Sequence, residues 1–350
     1  MASPPLPSED LEHVLTHTRD LWTEARGQSI FLTGGTGFFG VWLVESFLHA
    51  NAALGLNARL VVLTRDPAAF ARKAPHLTGR AGLEFVAGDV RDFVFPVARF
   101  AHVIHAATAA GARLSAEAPP GMRDTIIGGT RRVLEFCAQA GAKKFLYVSS
   151  GAVYGPQPAG LSHIPEDYPG GPDPHLAGDA YGEGKRAAEL LCLEQARRSG
   201  CEFKIARCFA FVGPHLPLDA HYAIGDFIGD AMAGRPIRVK GDGTAIRSYL
   251  YAADLAVWLW TILFHGAPTR VYNVGSQNGL PIAELAREVG IALGANAPAL
   301  SGLMHLPADK TSRYIPDTKR ASAELGLREL IPLPEAIRRT ASWCNQSLND

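Results

Sequence analysis

The chain carries no surplus of either charge: its 350 residues hold 34 Lys and Arg against 34 Asp and Glu. A nucleic-acid backbone or an anionic membrane surface calls for a basic surplus, so neither is an expected partner. Cysteine is scarce, with only Cys137, Cys192, Cys201, Cys208 and Cys344. The count is odd, no two form a Cys-x-x-Cys pair, and all but Cys201 lie in apolar or helical stretches. This argues against a disulfide framework and a metal site, and for reduced, buried thiols in a cytoplasmic protein. Long apolar runs are also missing. The longest uncharged one, Leu255 to Phe264, lies between Asp254 and His265 and is too short to span a bilayer. It reads as a buried core helix. No basic segment followed by an apolar core opens the chain, so no signal peptide is expected. There is no internal repeat and no low-complexity tract. At this length the chain can bury a large core, as one large or two closely joined domains.

What is present begins with Phe31-Leu-Thr-Gly-Gly-Thr-Gly-Phe-Phe-Gly40. Ile30, Phe31 and Leu32 read as a short buried strand, and Val41–Leu48 as a helix. Gly34, Gly37 and Gly40 sit between them at three-residue spacing. A strand that turns sharply into a helix aims free backbone N–H groups, and the positive helix end, at whatever lies in front. A pyrophosphate satisfies both. Glycine serves where the turn needs unusual dihedrals and where backbone approaches phosphate or strand closely. A dinucleotide site is expected here.

From Ser29 onward strands and helices alternate. Strands are predicted at 59–63, 83–86, 102–106, 144–149 and 203–208, and helices at 125–140 and 181–199. Such alternation implies an α/β fold with a doubly wound parallel sheet, a Rossmann arrangement. Its ligands sit beyond the carboxyl ends of the strands. The glycine turn, Thr64-Arg65, Asp89-Val90, Ala106-Ala107 and Ser149-Ser150 all fall on that edge. Ahead of the sheet, residues 1–28 form an extension. Ser8 is expected to cap a helix whose stripe runs through Leu11, Val14, Leu15, Thr18, Leu21, Trp22 and Ala25. After about Ala210, prolines punctuate shorter elements. Residues 29–210, with part of 240–275, are taken as the dinucleotide-binding domain. Residues 211–350 are taken mainly as a smaller α/β substrate-binding lobe with a terminal helix from near Pro334.

Tyr181-Gly-Glu-Gly-Lys185 opens the long helix. Positions i and i+4 share a helix face, so phenol and ammonium are neighbours. A lysine cation there lowers the tyrosine pKa toward neutrality, as a general acid or base requires. Alone, Tyr-x-x-x-Lys is usually a solvated helix face. Here it follows a strand ending in Ser149-Ser150, downstream of a dinucleotide turn.

At this point the chain resembles the extended short-chain dehydrogenase/reductases, in their nucleotide-sugar epimerase/dehydratase branch. The resemblance spans about residues 29–330. It rests on Thr33–Gly40, Gly88-Asp89-Val90, His105-Ala106-Ala107, Gly129-Thr130, Val148–Gly155, Tyr181–Lys185, Arg207–Pro214 and Arg247–Asp254. It implies that Ser150 binds the sugar hydroxyl, Tyr181 takes or gives its proton, and Lys185 tunes Tyr181 and holds the nicotinamide ribose. A hydride would pass between sugar carbon 4 and the nicotinamide. Gly34, Thr36, Gly37, Phe38, Phe39, Gly40, Thr64, Arg65, Asp89, Val90, Ala106 and Ala107 would line the cofactor site, with Asp89 and Val90 at the adenine. Arg247 would meet the substrate pyrophosphate. Tyr154 and Arg313 are further substrate candidates, Arg313 equally an ion-pair partner of Asp317. The resemblance also implies a homodimer, paired through the helices at 125–140 and 181–199. Otherwise their apolar stripes pack on their own sheet.

Departures from the family pattern narrow the chemistry. The 4,6-dehydratases carry an Asp-Glu pair after the catalytic hydroxyl residue; here those positions are Gly151 and Ala152, which cannot move a proton. The glutamate common in decarboxylating relatives is missing too. Ala210 and Ile126 replace frequent asparagines. At the end of the second strand, Thr64 has no charge to repel a 2′-phosphate and Arg65 can attract one, so the cofactor, NAD or NADP, is read with a lean to NADP. Arg65 paired with Asp66 is the alternative. The Pro- and Gly-rich loop between Tyr154 and Tyr181 is expected at the substrate mouth. Its His163 and His175 read as ordinary loop histidines, and Glu166 as either a substrate contact or a backbone cap. Arg113, after the fourth strand, is either a substrate contact or solvated.

The leading expectation is an enzyme: an NAD(P)-dependent C4 epimerase or 4-keto reductase of a nucleotide-activated hexose. The alternatives are a dehydratase or decarboxylase with an atypical acid/base set, a reductase of a non-sugar carbonyl, and a non-catalytic dinucleotide-binding protein on the same fold.

Overall fold

The computed structural model describes residues 2–108, 119–173, 175, 179–220, 222–295, 299–301 and 312–349. Six strands follow the predicted alternation: β1 (Ser29–Thr33), β2 (Arg59–Thr64), β3 (Leu83–Ala87), β4 (His102–His105), β5 (Lys144–Ser150) and β6 (Glu202–Cys208). A seventh, Arg270–Val274, joins beyond β6. The order across the sheet is β3-β2-β1-β4-β5-β6 and then Arg270–Val274, parallel throughout. Chain order reverses between β1 and β4, which opens a crevice at the carboxyl edge there. The central strands are apolar on both faces, as a sheet covered on both sides requires. Phe31, Val103, Ile104, Phe145, Leu146 and Ile205 are all fully buried.

The helix Phe38–Leu54 leaves the glycine turn directly and ends at Gly55, whose φ of +55° closes the last turn. On the same side lies Ala252–His265, the helix expected from the uncharged run. It is apolar all round because it is enclosed all round, by the N-terminal segment, by Phe38–Leu54 and by the sheet. Ser46 links the two helices. Its Oγ accepts the Trp260 indole N–H at 2.9 Å and donates to the Trp42 carbonyl at 2.6 Å. Ser46→Ala strands that indole N–H in the core and is expected to cost about 1–3 kcal/mol. Equilibrium denaturant unfolding measures it; unchanged stability would refute this role for Ser46.

The N-terminal helix spans Ser8–Thr18 and continues as a 3-10 helix, Arg19–Ala25. Ser8 is not its cap: Pro7 holds that position, without a side-chain hydrogen bond, and Ser8 is already helical. The helix covers Phe38–Leu54 and Ala252–His265. Buried Asp10 fixes it, accepting from Tyr251 at 2.6 Å and from Arg339 at 2.7 Å.

On the opposite face lie Pro119–Ala140 and Ala180–Ala196. Val133, Leu134 and Phe136 of the first helix are buried within this chain, around Phe31, Phe93 and Phe100. The second leaves Leu190 57% exposed. Beyond β6, short strands build the remaining region. Phe211–Val212 pairs with Leu250–Tyr251, and Arg238–Lys240 with Ala299–Ser301. Ile246–Arg247 runs between Leu280–Pro281 and Arg313–Tyr314. The terminal helix is Leu333–Asn349. Among the described residues no helix is long and apolar enough to cross a membrane. All five cysteines are free thiols.

Candidate active site

A cavity of about 970 Å³ runs along the carboxyl edge of the sheet. That is the upper end of the usual range for small-molecule sites, about 300–1,000 Å³, and suits a long ligand. Its floor is the glycine turn. Gly34 has φ +78°, and a Cβ there would lie 2.6 Å from the Ala106 carbonyl carbon and 2.7 Å from Ala107 N. The turn can press against the end of β4 only without a side chain. Buried His105 braces the contact from below: its Nδ1 is 2.7 Å from Thr33 Oγ1 and its Nε2 3.1 Å from Thr130 Oγ1. Thr33 Oγ1 in turn accepts from Ala107 N at 3.1 Å. Burial pushes the His105 pKa down to about 3, so the imidazole is neutral and can take both roles.

The residues here fit a dinucleotide. Gly37 is the N-cap of Phe38–Leu54 and supplies no side chain to the first-turn N–H groups. A Cβ on Gly37 would meet only Gly34 O, at 3.5 Å. The first turn of a long helix therefore opens onto the cavity, as a pyrophosphate site requires. Thr36, Gly37, Phe38, Phe39, Gly40, Thr64, Arg65, Asp89, Val90, Ala106 and Ala107 all line the cavity, with Gly34. Asp89 is engaged by Arg91 (2.8 Å), whose hydrogen bond holds its carboxyl below the ordinary range. Asp66 does not pair with Arg65. It caps the helix Pro67–Lys73, accepting from Ala69 N at 2.8 Å. Lys73, at the end of that helix, lines the cavity as well, adding a cation to Arg65 and Arg91.

At the other end the structure brings Ser150, Tyr181 and Lys185 together on the cavity wall. Ser150 ends β5, and its Oγ accepts from Ala152 N at 3.2 Å. Lys185 is 2% exposed, donates to the Val148 carbonyl at 2.8 Å, and stands 5.9 Å from the centre of the Tyr181 ring. Burial lowers its pKa to about 8. The expectation that Lys185 brings Tyr181 toward neutrality needs correction. Burial pushes the Tyr181 phenol up to about 12; the Ser150 and Thr108 hydroxyls pull it down, but burial wins. In this state the phenol keeps its proton at neutral pH.

Three candidate substrate residues do not line the cavity. Tyr154 is 1% exposed and lies behind the site, its hydroxyl donating to Asn273 Oδ1 at 2.7 Å. The Arg247 guanidinium turns to Ser312, donating to its carbonyl and its hydroxyl at 3.1 Å each. Arg313 sits on the short strand beside Ile246–Arg247, and Asp317 pairs with Lys319 at 3.2 Å. Glu166 is a backbone cap, accepting from Asn273 N at 3.0 Å. Half-buried His163 is 3.0 Å from the Gln277 carbonyl, and His175 is exposed. Arg113 lies outside the described residues. Among the described residues no cluster of His, Cys, Asp and Glu can hold a metal.

Sequence reasoning missed several lining groups. Phe209, Leu216, Pro217, Tyr222 and Tyr249 wall the cavity beyond Ser150 and Tyr181. Phe209 and Ala210 directly follow β6, so the rule that ligands gather at strand ends could have found them. Tyr222 and Tyr249 carry no such signal, because only tertiary packing returns them to this edge.

The profile of the NAD dependent epimerase/dehydratase family matches residues 30–275. The chain is 29% identical over 325 residues to UDP-glucuronic acid decarboxylase 1 of Arabidopsis thaliana, covering 92% of this chain and 71% of that protein. The fold is that of UDP-glucose 4-epimerase of Thermotoga maritima, solved with UDP-glucose, at a TM-score of 0.77 and 22% identity over 91% of this chain and 99% of the other. DesIV of Streptomyces venezuelae, a dTDP-glucose 4,6-dehydratase solved with NAD, superimposes at a TM-score of 0.77 and 23% identity, covering 92% of this chain and 98% of that one.

Proposed function

From the premise that this chain belongs to the NAD dependent epimerase/dehydratase family, we propose that it catalyses hydride transfer at carbon 4 of a nucleotide-activated hexose, ending in C4 epimerisation or in reduction of a 4-keto sugar. The convergence of Ser150, Tyr181 and Lys185 beside a dinucleotide-sized cavity carries this reading. A nicotinamide dinucleotide held along the glycine turn supplies the two-electron acceptor or donor. The chain's own residues do the rest. Ser150 orients the sugar hydroxyl, and Tyr181 takes its proton as the C4–H bond breaks. Lys185, held by Val148, adds positive charge nearby. The same three groups serve the reverse step.

Gly151 and Ala152 supply no carboxylate, which weighs against elimination of water by an acid/base pair. Decarboxylation is a second reading. It is favoured by the Arabidopsis relative and by chemistry: a hexuronic acid oxidised at carbon 4 is a β-keto acid, which loses CO2 without a dedicated base. Mass spectrometry after incubation with UDP-, dTDP-, GDP- and CDP-hexoses and hexuronates separates the outcomes. Epimerisation leaves the mass unchanged and appears as the C4 epimer in the proton NMR spectrum, decarboxylation removes CO2, and dehydration removes water. Loss of water as the main product would overturn the primary reading.

For the cofactor, Arg65 and Lys73 together favour NADP. Replacing both (Arg65→Ser with Lys73→Ala) is expected to raise the Kd for NADP by about tenfold or more and to leave that for NAD within about threefold. Titration by intrinsic fluorescence checks it, and equal effects on both dinucleotides would refute it.

A further inference from the structure

Tyr314 reaches the reaction centre from the opposite side of the cavity wall. Its strand, Arg313–Tyr314, pairs with Ile246–Arg247, and its ring packs on Phe209 with centroids 4.6 Å apart. Phe209 itself lines the cavity. A Cβ built on Gly151 would stand 2.6 Å from the Tyr314 hydroxyl. A side chain at 151 and this phenol therefore compete for one space, next to Ser150. The missing carboxylate and the incoming phenol are two sides of one steric fact.

The Ser150 hydroxyl has one proton to give and two lone pairs to fill. Ala152 N–H takes one lone pair at 3.2 Å. The same hydroxyl lies close enough to the Tyr314 and Tyr181 phenols to lower the pKa of each. Burial keeps Tyr314 protonated, so it has a proton to donate. We propose that Tyr314 is a positioning residue whose O–H fills the second lone pair of Ser150 Oγ, leaving the single Ser150 proton to point at the Tyr181 oxygen and the substrate oxygen beside it. Tyr314 keeps its proton throughout and moves no charge. This role rests on the hydride-transfer reading of Ser150, Tyr181 and Lys185.

Tyr314→Phe keeps the ring on Phe209 and removes only the hydroxyl. The expected result is a kcat about tenfold lower with KM within about twofold, the size of one misdirected hydrogen bond. The rising limb of the pH profile for sugar oxidation should move to higher pH, because Ser150 no longer commits its proton to the phenolate. In a Ser150→Ala background the same change should cost nothing further, since the effect travels through Ser150. Gly151→Ala is the second variant. It sets a methyl where the hydroxyl stands, against the far ends of Tyr314 and Phe209, and should reproduce the loss and the pH shift. A Tyr314→Phe enzyme with wild-type kcat and pH profile overturns the proposal, as does an effect undiminished in Ser150→Ala. An active Tyr181→Phe enzyme would overturn the hydride-transfer reading itself. An inactive Tyr181→Phe beside a fully active Tyr314→Phe removes only the role of Tyr314.

Discussion

Tyr181→Phe is expected to lower kcat by about 10³-fold while leaving folding and dinucleotide binding intact. The ring stays where it is and only the hydroxyl is lost, so the packing beside Lys185 and Ser150 is retained. The effect is large because the described cavity wall shows no substitute base in the right place. Lys185 is committed to the Val148 carbonyl. Cys208 lies on the same wall, but burial holds it as a thiol. Burial sets the Tyr181 pKa at about 12, so the free phenol is a poor base at neutral pH. Positive charge entering the cavity, as an oxidised nicotinamide carries, acts in the needed direction. The pH profile of sugar oxidation should therefore rise at lower pH than the free phenol's value. Steady-state kinetics with the identified sugar nucleotide, beside a dinucleotide titration, test this. Full turnover by Tyr181→Phe would remove Tyr181 from the mechanism.

The second large effect belongs to Gly40→Ala. A Cβ at position 40 would lie 2.1 Å from the Gly34 carbonyl oxygen and 2.4 Å from the Gly35 Cα. Both are backbone atoms, and the turn cannot retreat because Gly34 is itself pressed against Ala106. Either the helix Phe38–Leu54 moves off β1 or the turn opens, and each spreads the N–H groups of the phosphate site. We expect dinucleotide affinity to fall by at least about 100-fold and stability by about 3 kcal/mol, the upper end for overpacking. Gly37→Ala is the informative control. Its Cβ meets only Gly34 O at 3.5 Å, so stability should hardly change, while a methyl facing the cavity still weakens binding. Calorimetric titration with thermal unfolding separates the two variants. A Gly40→Ala protein that binds like the wild type would disprove the close-packed turn.

Much of the fold was legible because its code is local. Strands of four to seven residues appear in the structure in their expected order and within a few residues of their expected bounds. The Leu255–Phe264 run was readable as a core helix because a helix enclosed on every side needs no polar face. Ser8 does not cap the helix because Pro7, with its fixed φ, holds the N-cap position and lets the helix begin at Ser8 itself. The seventh strand, Arg270–Val274, carries no local signal that separates it from its surroundings. Its place beside β6 depends on a partner more than sixty residues earlier.

By itself, the sequence determined the parallel sheet, the glycine turn that leads into a helix, and the positions of Ser150, Tyr181 and Lys185 at one sheet edge. These follow from short-range rules: hydrophobic period, glycine spacing, and the four-residue repeat of a helix face. Tertiary structure alone decided what surrounds them. It placed Tyr154 behind the site on Asn273, turned Arg247 to Ser312, and brought Lys73 to the cavity. It also set Tyr314 in the space left by Gly151 and raised the Tyr181 pKa by burial. Each of these rests on contacts between distant segments or on exclusion of water, and neither quantity is written in any local stretch of chain.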